Sequence, residues 1–341
     1  MSLYCGIDLH STNSYIVVLD ERDRAVVDTR VPNDLEEVLG ELEPIRDTLT
    51  RVAIESTYNW YWLADGLEDH GYSVVLVNPC KAKQYDGIKY RDDAHDARWL
   101  AHMMRVGVLP TGSIMDRTQR AIRDLLRRRM RVVQQRTRNM LQLKTQIANH
   151  TGLMLSANDL KRLEPGDLAG LVDDPYTLRS IDSAIRLMAV LETEVSELQE
   201  FVVLEARKKK GFALLRSIKG VGDLLAATIL YETGDIGRFP KVGNYASYCR
   251  CVRAEHRSND KKKGEGNRRN GNPYLSWAFA QAAHFAIRFQ PPVRRYFNRK
   301  KKATNARIAA STVSHKLARA TYYILRDKVP YRSEMLFGAS S

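Results

Sequence analysis

Long apolar runs are missing from this 341-residue chain. Nowhere do about 18 apolar residues follow one another, so no transmembrane helix is expected. Cysteine is scarce: Cys5, Cys80, Cys249 and Cys251 form no CxxC pair, which argues against both a zinc site and a disulfide framework. The first residues enter a strand pattern without a leader of the signal-peptide kind, and the expectation is a cytoplasmic protein. Acidic residues run short after the first hundred positions. Residues 1–100 hold 19 Asp/Glu against 10 Lys/Arg, whereas the whole chain has a net charge of +14. An acidic front recruits divalent cations, and a basic remainder seeks a polyanion. With 44% hydrophobic and 28% charged residues, the composition is that of a soluble globular protein long enough for two or three domains.

The front of the chain reads as α/β. Tyr4–Leu9 and Tyr15–Leu19 are apolar, β-branched runs separated by Ser, Thr and Asn, the pattern of a hairpin. Arg24–Val31 adds a third strand. Leu35–Thr48 has apolar residues at helical spacing, with Asn33 as its expected N-cap. The strand Arg51–Glu55, the helix Trp60–His70 with Gly71 at its end, and the strand Ser73–Val77 follow. Strand–helix–strand alternation predicts parallel pairing with helices on the sheet. One acid, Asp8, interrupts the first strand. Either local backbone N–H groups satisfy it or it is a metal ligand. Glu55 ends another strand, and ligands in open sheets sit beyond carboxyl ends of strands. A helix beginning near Asp93 then brings Asp93 and Asp96 to one face, although Asp92 and Asp96 would also share one.

The rest reads as mostly helical. Met115–His150 is a long helix with nine arginines between Arg117 and Arg138, among them Arg127, Arg128, Arg129 and Arg131, a run that suits a phosphate backbone. Residues 151–175 read as a linker, and Tyr176–Lys208 as a helix whose apolar spacing suits a coiled-coil arm for self-association. Leu214–Thr233 has the form helix, Gly-x-Gly turn, helix. Lys219, Gly220 and Gly222 would let the second helix present its N–H groups to a phosphate. Arg253–Asn272 is a long polar loop, holding Arg257, Ser258, Lys261, Lys262 and Lys263, between the structured stretch Tyr245–Val252 and an apolar helix Tyr274–Phe289. Lys300–Lys328 reads as one more basic helix.

Together these segments resemble a family. GIDLH around Asp8, IEST-x-x-x-Y around Glu55, GYSVVLVNP, DDAHDARWLA around Asp93 and Asp96, IKGVG at 218–222 and the Tyr245–Leu275 segment occur in the order found in DEDD transposases of the insertion-sequence family IS one-ten (IS110). That family also includes Piv-type DNA invertases. The resemblance implies a RuvC-like, ribonuclease-H-type domain over 1–150 whose carboxylates Asp8, Glu55, Asp93 and Asp96 hold Mg2+ (or Mn2+). It implies an arm over 151–210 and a C-terminal transposase domain over 211–341 with a helix-hairpin-helix and a nucleophilic serine that becomes linked to DNA. The family pattern near that serine is commonly Ser-Ser-Gly; here it reads Arg257-Ser258-Asn259, and Ser258 is the only serine in the loop. The implied partners are donor and target DNA, a guide (bridge) RNA and further copies of the chain, from dimer to tetramer, in the cytoplasm of a prokaryote.

Other functions fit less of the sequence. A metal-dependent nuclease of the Holliday-junction type would keep the fold and dispense with the serine. A phosphotransferase of the actin or sugar-kinase type can share the opening GIDxxST pattern but needs further glycine-rich nucleotide loops, and none lies between residues 80 and 210. A non-catalytic RNA-binding protein would use the basic part and leave the acidic cluster without a purpose.

Overall fold

The computed structural model describes residues 2–77, 92–252, 256–258, 261–264 and 270–337. It divides into two compact units, Met1–Ile114 and Met115–Ser341.

The first unit is built on one six-stranded sheet. Its strands are β1 (Leu3–Leu9), β2 (Asn13–Leu19), β3 (Ala25–Pro32), β4 (Leu49–Glu55), β5 (Val74–Val77) and β6 (Thr111–Gly112), in the order β3-β2-β1-β4-β5-β6. The first three strands form the antiparallel meander read from the sequence, and β1, β4 and β5 run parallel. Alternation along β1 decides which layer each residue enters. Cys5, Ile7 and Leu9 point to the core under α1 (Leu35–Leu42) and α2 (Tyr61–Asp69), where they meet Val38, Leu42, Leu63 and Leu67. The opposite face is covered by α3 (Asp93–Arg105) through Ala97, Leu100 and Ala101. Gly6 is what lets α3 lie so low. A Cβ at Gly6 would sit 2.1 Å from the Ala97 carbonyl oxygen and 2.7 Å from the Ala101 nitrogen.

Two local expectations are corrected. The N-cap of α1 is Asp34, whose side chain accepts from the Glu36 N–H, rather than Asn33. Asn33 instead accepts from the Ser14 hydroxyl at 2.7 Å and donates to the His10 carbonyl at 2.9 Å, fastening the end of β1 to the next two strands. The α-helix also ends at Leu42. Pro44 lacks an N–H to continue it, and the chain tightens into a 3₁₀ segment, Glu43–Thr48.

The second unit is mostly helical. Its frame is an antiparallel pair, α4 (Arg117–Thr151) and α6 (Pro175–Arg207), cross-linked by Arg129 to Gln199 and Arg136 to Glu192. The stretch between them, expected as a linker, is packed down. It contains the short helix α5 (Ala157–Leu160), and Leu160, Leu168 and Val172 share a cluster with Leu143, Ile147 and Ile185. The apolar stripe of α6 is therefore partly used within the chain: Ile181, Ile185, Met188 and Val195 are buried. A second stripe stays exposed, at Leu187, Val190, Phe201 and Leu204.

Beyond α6 come α7 (Lys210–Arg216), α8 (Asp223–Thr233), α9 (Val242–Tyr248), the strand pair β7 (His256–Ser258) and β8 (Lys261–Gly264), then α10 (Pro273–Phe289), α11 (Pro291–Ala303), α12 (Ala306–Asp327) and α13 (Ser333–Phe337). Helices α7 and α8 with their Gly-x-Gly turn give the expected hairpin. Gly220 has φ +100°, and a Cβ there would lie 2.9 Å from the Ala286 nitrogen, so the turn needs glycine both for its conformation and for its contact with α10. The predicted basic helix Lys300–Lys328 is two helices, because Asn305 starts a new one by capping the Ile308 N–H. The polar segment expected as a loop includes the pair β7–β8, with Ser258 opposite Lys261 and Arg257 opposite Lys262.

The ends of that segment are closed by a neck. Arg250 Nε reaches the carbonyls of Asn270 (3.1 Å) and Gly271 (3.2 Å), and the Asn272 N–H donates to the Tyr248 carbonyl at 2.6 Å. No helix among the described residues is long and apolar enough to cross a membrane.

Candidate metal centre and nucleic-acid surfaces

Strand β1 delivers Asp8 to the α3 side of the sheet, two residues beyond Gly6. The register pairs Ile7 with Ile54, so Asp8 comes level with Glu55 one step on. Helix α3 begins over the same spot. Asp92 caps it by accepting from the His95 N–H at 2.8 Å, and Asp93, the first helical residue, is the one that meets Asp8.

His10, which the sequence reading passed over, joins them. Its Nε2 lies 3.0 Å from Asp8 Oδ2 and 3.0 Å from Asp93 Oδ1. One donor atom from each of Asp8, His10 and Asp93 lies within 4.8 Å of the others. The Nε2 atom is buried, yet neither approach has hydrogen-bond direction. Three donor atoms this close together, with the imidazole nitrogen left without a hydrogen bond, are a set that could hold a cation. Arg30 Nη2 takes the other oxygen of Asp93 at 2.7 Å. The signal for His10 was available, since Asp8 and His10 alternate along an extended chain and share a side.

The electrostatics agree. Asp8 is 4% exposed, and its carboxyl is pushed up to about 6 from 3.8. Burial is the main cause; His10 pulls it down, and the charges of Glu55, Asp96 and Asp93 each push it up. All four predicted carboxylates thus act on one place. The carboxylate oxygens suit a hard divalent cation, and the imidazole nitrogen beside them is a borderline donor.

In the second unit the arginines of α4 divide into two groups. Arg127 gives Nε and Nη2 to Glu232 at 2.7 and 2.8 Å and lies over the Tyr274 ring, and Arg129 is held by Gln199 at 2.7 Å. Burial works against the Arg127 charge, but Glu232 more than offsets this and holds the guanidinium protonated. By contrast Arg128, Arg131 and Arg138 are exposed and, at spacings of three and seven, lie along one face. In the hairpin, Lys219 is exposed and its carbonyl accepts from Gln290, while Gly222 precedes α8 with no side-chain cap. In β8, Lys261 and Lys263 are exposed beside Ser258 and Arg257 in the strand pair.

Sequence reasoning also missed Glu232. It is 1% exposed and binds both Arg127 and the Nδ2 of Asn272, the latter at 2.6 Å. Asn272 in turn caps α10 through Tyr274 N and Leu275 N. A lone acid in the apolar run Leu224–Thr233 was the available signal, because a buried charge must be paired.

Comparison with known proteins supplies the family. Residues 5–150 match the DEDD IS110 model described as "Transposase", and residues 212–298 match the model described as "Transposase IS116/IS110/IS902 family". The chain is 24% identical to "Putative transposase y4qE" of Sinorhizobium fredii over 234 residues, 65% of this chain and 55% of that protein. It is 31% identical to "Insertion element IS110 uncharacterized 43.6 kDa protein" of Streptomyces coelicolor over 131 residues, 37% of this chain and 31% of that protein. It therefore spans about half or less of the length of these curated relatives. Two matched segments in order, with an acidic cluster in the first and a glycine-turn hairpin in the second, lead to one assignment: the chain belongs to the IS110 family of transposases.

Proposed function

We propose that this chain cuts and rejoins DNA strands as a magnesium- or manganese-dependent recombinase of an insertion sequence, with a RuvC-like first unit and Ser258 as nucleophile. The observation that carries the reading is the convergence of Asp8, His10 and Asp93, with Glu55 and Asp96 close enough to raise the Asp8 carboxyl. Asp8, His10 and Asp93 would hold the ion directly, with Glu55 and Asp96 beside it. When bound, the ion would offset charge on the phosphate under attack and on the leaving oxygen.

The chain's own residues do the rest. The Ser258 oxygen forms a bond to phosphorus and gives up its proton, while the bond from phosphorus to the departing sugar oxygen breaks and that oxygen takes a proton. A serine hydroxyl needs help to do this, and the neighbouring cations Arg257, Lys261, Lys262 and Lys263 favour its ionised form. Arg128 and Arg131 on α4, and the Lys219–Gly222 turn, supply phosphate contacts that carry no sequence information. Such a protein leaves target choice to base pairing with a guide RNA. The exposed stripe Leu187, Val190, Phe201 and Leu204 supports assembly into dimers or tetramers.

The test is to trap the reaction on a nicked substrate, digest, and look for a nucleotide on the peptide carrying Ser258. The Ser258→Ala variant is expected to lose the adduct and keep DNA binding. An adduct that survives the substitution places the nucleophile elsewhere, with Ser247 and Ser276 next in line. Metal-dependent cleavage by the wild-type chain with no adduct at all would favour a nuclease of the Holliday-junction type.

A further inference from the structure

We propose that a groove in the second unit takes an unpaired stretch of nucleic acid, its bases laid against an aromatic stripe on α10. The proposal rests on the nucleic-acid reading above and adds a site and a strandedness to it.

The stripe comes from spacing. Trp277, Gln281, Phe285 and Phe289 recur every four residues and so share one face of α10, each about 6 Å further along the axis. Phe285 and Phe289 are 37% and 59% exposed, with their rings stacked at 12° and 6.3 Å between centroids. The facing wall is the hairpin. One hollow of about 300 Å³ lies between the two phenyl rings and Arg216, Gly220 and Gly222. A second, of about 530 Å³, shares Arg216, Gly222 and Phe285 and runs on past Trp277 to Gln199. Gly222 leaves the floor open, with no atom within 4 Å of where its side chain would start.

Charge decides the occupant. Helices α10 and α11 contain no Asp or Glu, and Lys219, Arg288, Arg294 and Arg295 are exposed nearby in sequence or on the same helices. The acid in the groove, Asp223, is met by Arg207 at 2.7 Å and Arg216 at 2.6 Å. Cations on the hairpin and on the helices that carry the exposed rings, with Arg288 over the Phe289 ring, fit a polyanion carrying flat apolar groups. A duplex offers such a surface phosphates only, because its base faces are hidden in the stack. An unstacked strand offers both, at a repeat near the spacing of Phe285 and Phe289, and stacking on an aromatic ring is open to any base.

The test uses the full chain and single strands carrying 5-iodouracil, once as DNA and once as RNA, irradiated and mapped by peptide mass spectrometry. A crosslink within Trp277–Phe289 is expected, and the stronger arm identifies the sugar. In parallel, Phe285→Ala with Phe289→Ala should weaken single-strand binding about tenfold or more, while duplex binding changes less than about twofold. The pair Phe285→Leu with Phe289→Leu keeps the apolar bulk, removes the ring faces and should show most of the same loss. Equal losses on duplex and single strand with an unchanged circular dichroism spectrum, no loss on either, or a changed sedimentation coefficient in place of a binding change would each overturn the proposal, the last in favour of a second copy as occupant. If the wild-type chain binds neither form even at low salt, the broader nucleic-acid reading fails and this groove with it.

Discussion

Asp8 illustrates how a residue can be held against its own stability. Its carboxyl is raised to about 6 in the metal-free protein, above the 3.8 it has when the chain is unfolded. Below pH 3.8 both states carry the proton and nothing is lost. Between 3.8 and 6 the folded state keeps a proton that the unfolded state releases, so stability falls as pH rises. Above 6 the full penalty applies, on the order of 2 kcal/mol after allowance for solvent around the half-exposed His10 and Asp93. Asp8→Asn is therefore expected to stabilise the chelator-treated protein by about that much at pH 7.5 and hardly at all at pH 4, while abolishing strand cleavage. Urea unfolding at the two pH values measures it, and full recombination by the variant would remove Asp8 from the site. Arg127 and Arg128 make a second contrast between neighbours. Arg127→Ala strands the buried Glu232 and should cost about 3 kcal/mol, whereas Arg128→Ala should stay within about 0.5 kcal/mol, both read by denaturant unfolding.

Among the elements, α3 and β1 are locked by contact at Gly6. Gly6→Ala forces a methyl into the Ala97–Ala101 backbone, so α3 must lift and carry Asp93 and Asp96 away from Asp8. The expected outcome is a loss of about 1–3 kcal/mol in stability together with weaker Mn2+ binding by titration calorimetry, although no ligand has been changed. On α4 the exposed arginines act as one element. Replacing Arg128, Arg131 and Arg138 by Gln should lower the slope of log affinity against log salt by about 2–3, at about 0.9 for each phosphate no longer neutralised. An unchanged slope would make that face a solvated one. The division of α4 was not legible beforehand. Nine arginines read alike in sequence, and it is partners on other helices, Glu232, Gln199 and Glu192, that engage Arg127, Arg129 and Arg136. Element boundaries failed for smaller reasons: Asp34 competed with Asn33 for a cap, and Asn305 restarted a helix in a run that looked continuous.

At the scale of the whole molecule, the sheet and its acidic cluster were the legible part. Two-residue alternation and strand–helix–strand order fix which face each β1 residue takes, and the carboxylates follow. The second unit was legible as helices and a hairpin, but the tertiary partners were not, because apolar stripes do not name what they pack against. Each unit has a core of its own, one around Ile7 and Ile54 and the other around Tyr231, Tyr245 and Phe279. A fragment of residues 115–341 is accordingly expected to be helical by circular dichroism, to unfold cooperatively and to bind DNA with most of the salt dependence of the full chain, but without response to Mg2+.

The neck at Arg250 and Asn272 has an evolutionary consequence. Its hydrogen bonds keep the two ends of the intervening segment together, whatever lies between them. Lengthening a segment whose ends are already joined adds only closure entropy, about 0.6 kcal/mol for each doubling. The length of the chain between those ends can therefore change without unsettling α9 or α10, and relatives should differ more in that length than at Glu232 or Asn272.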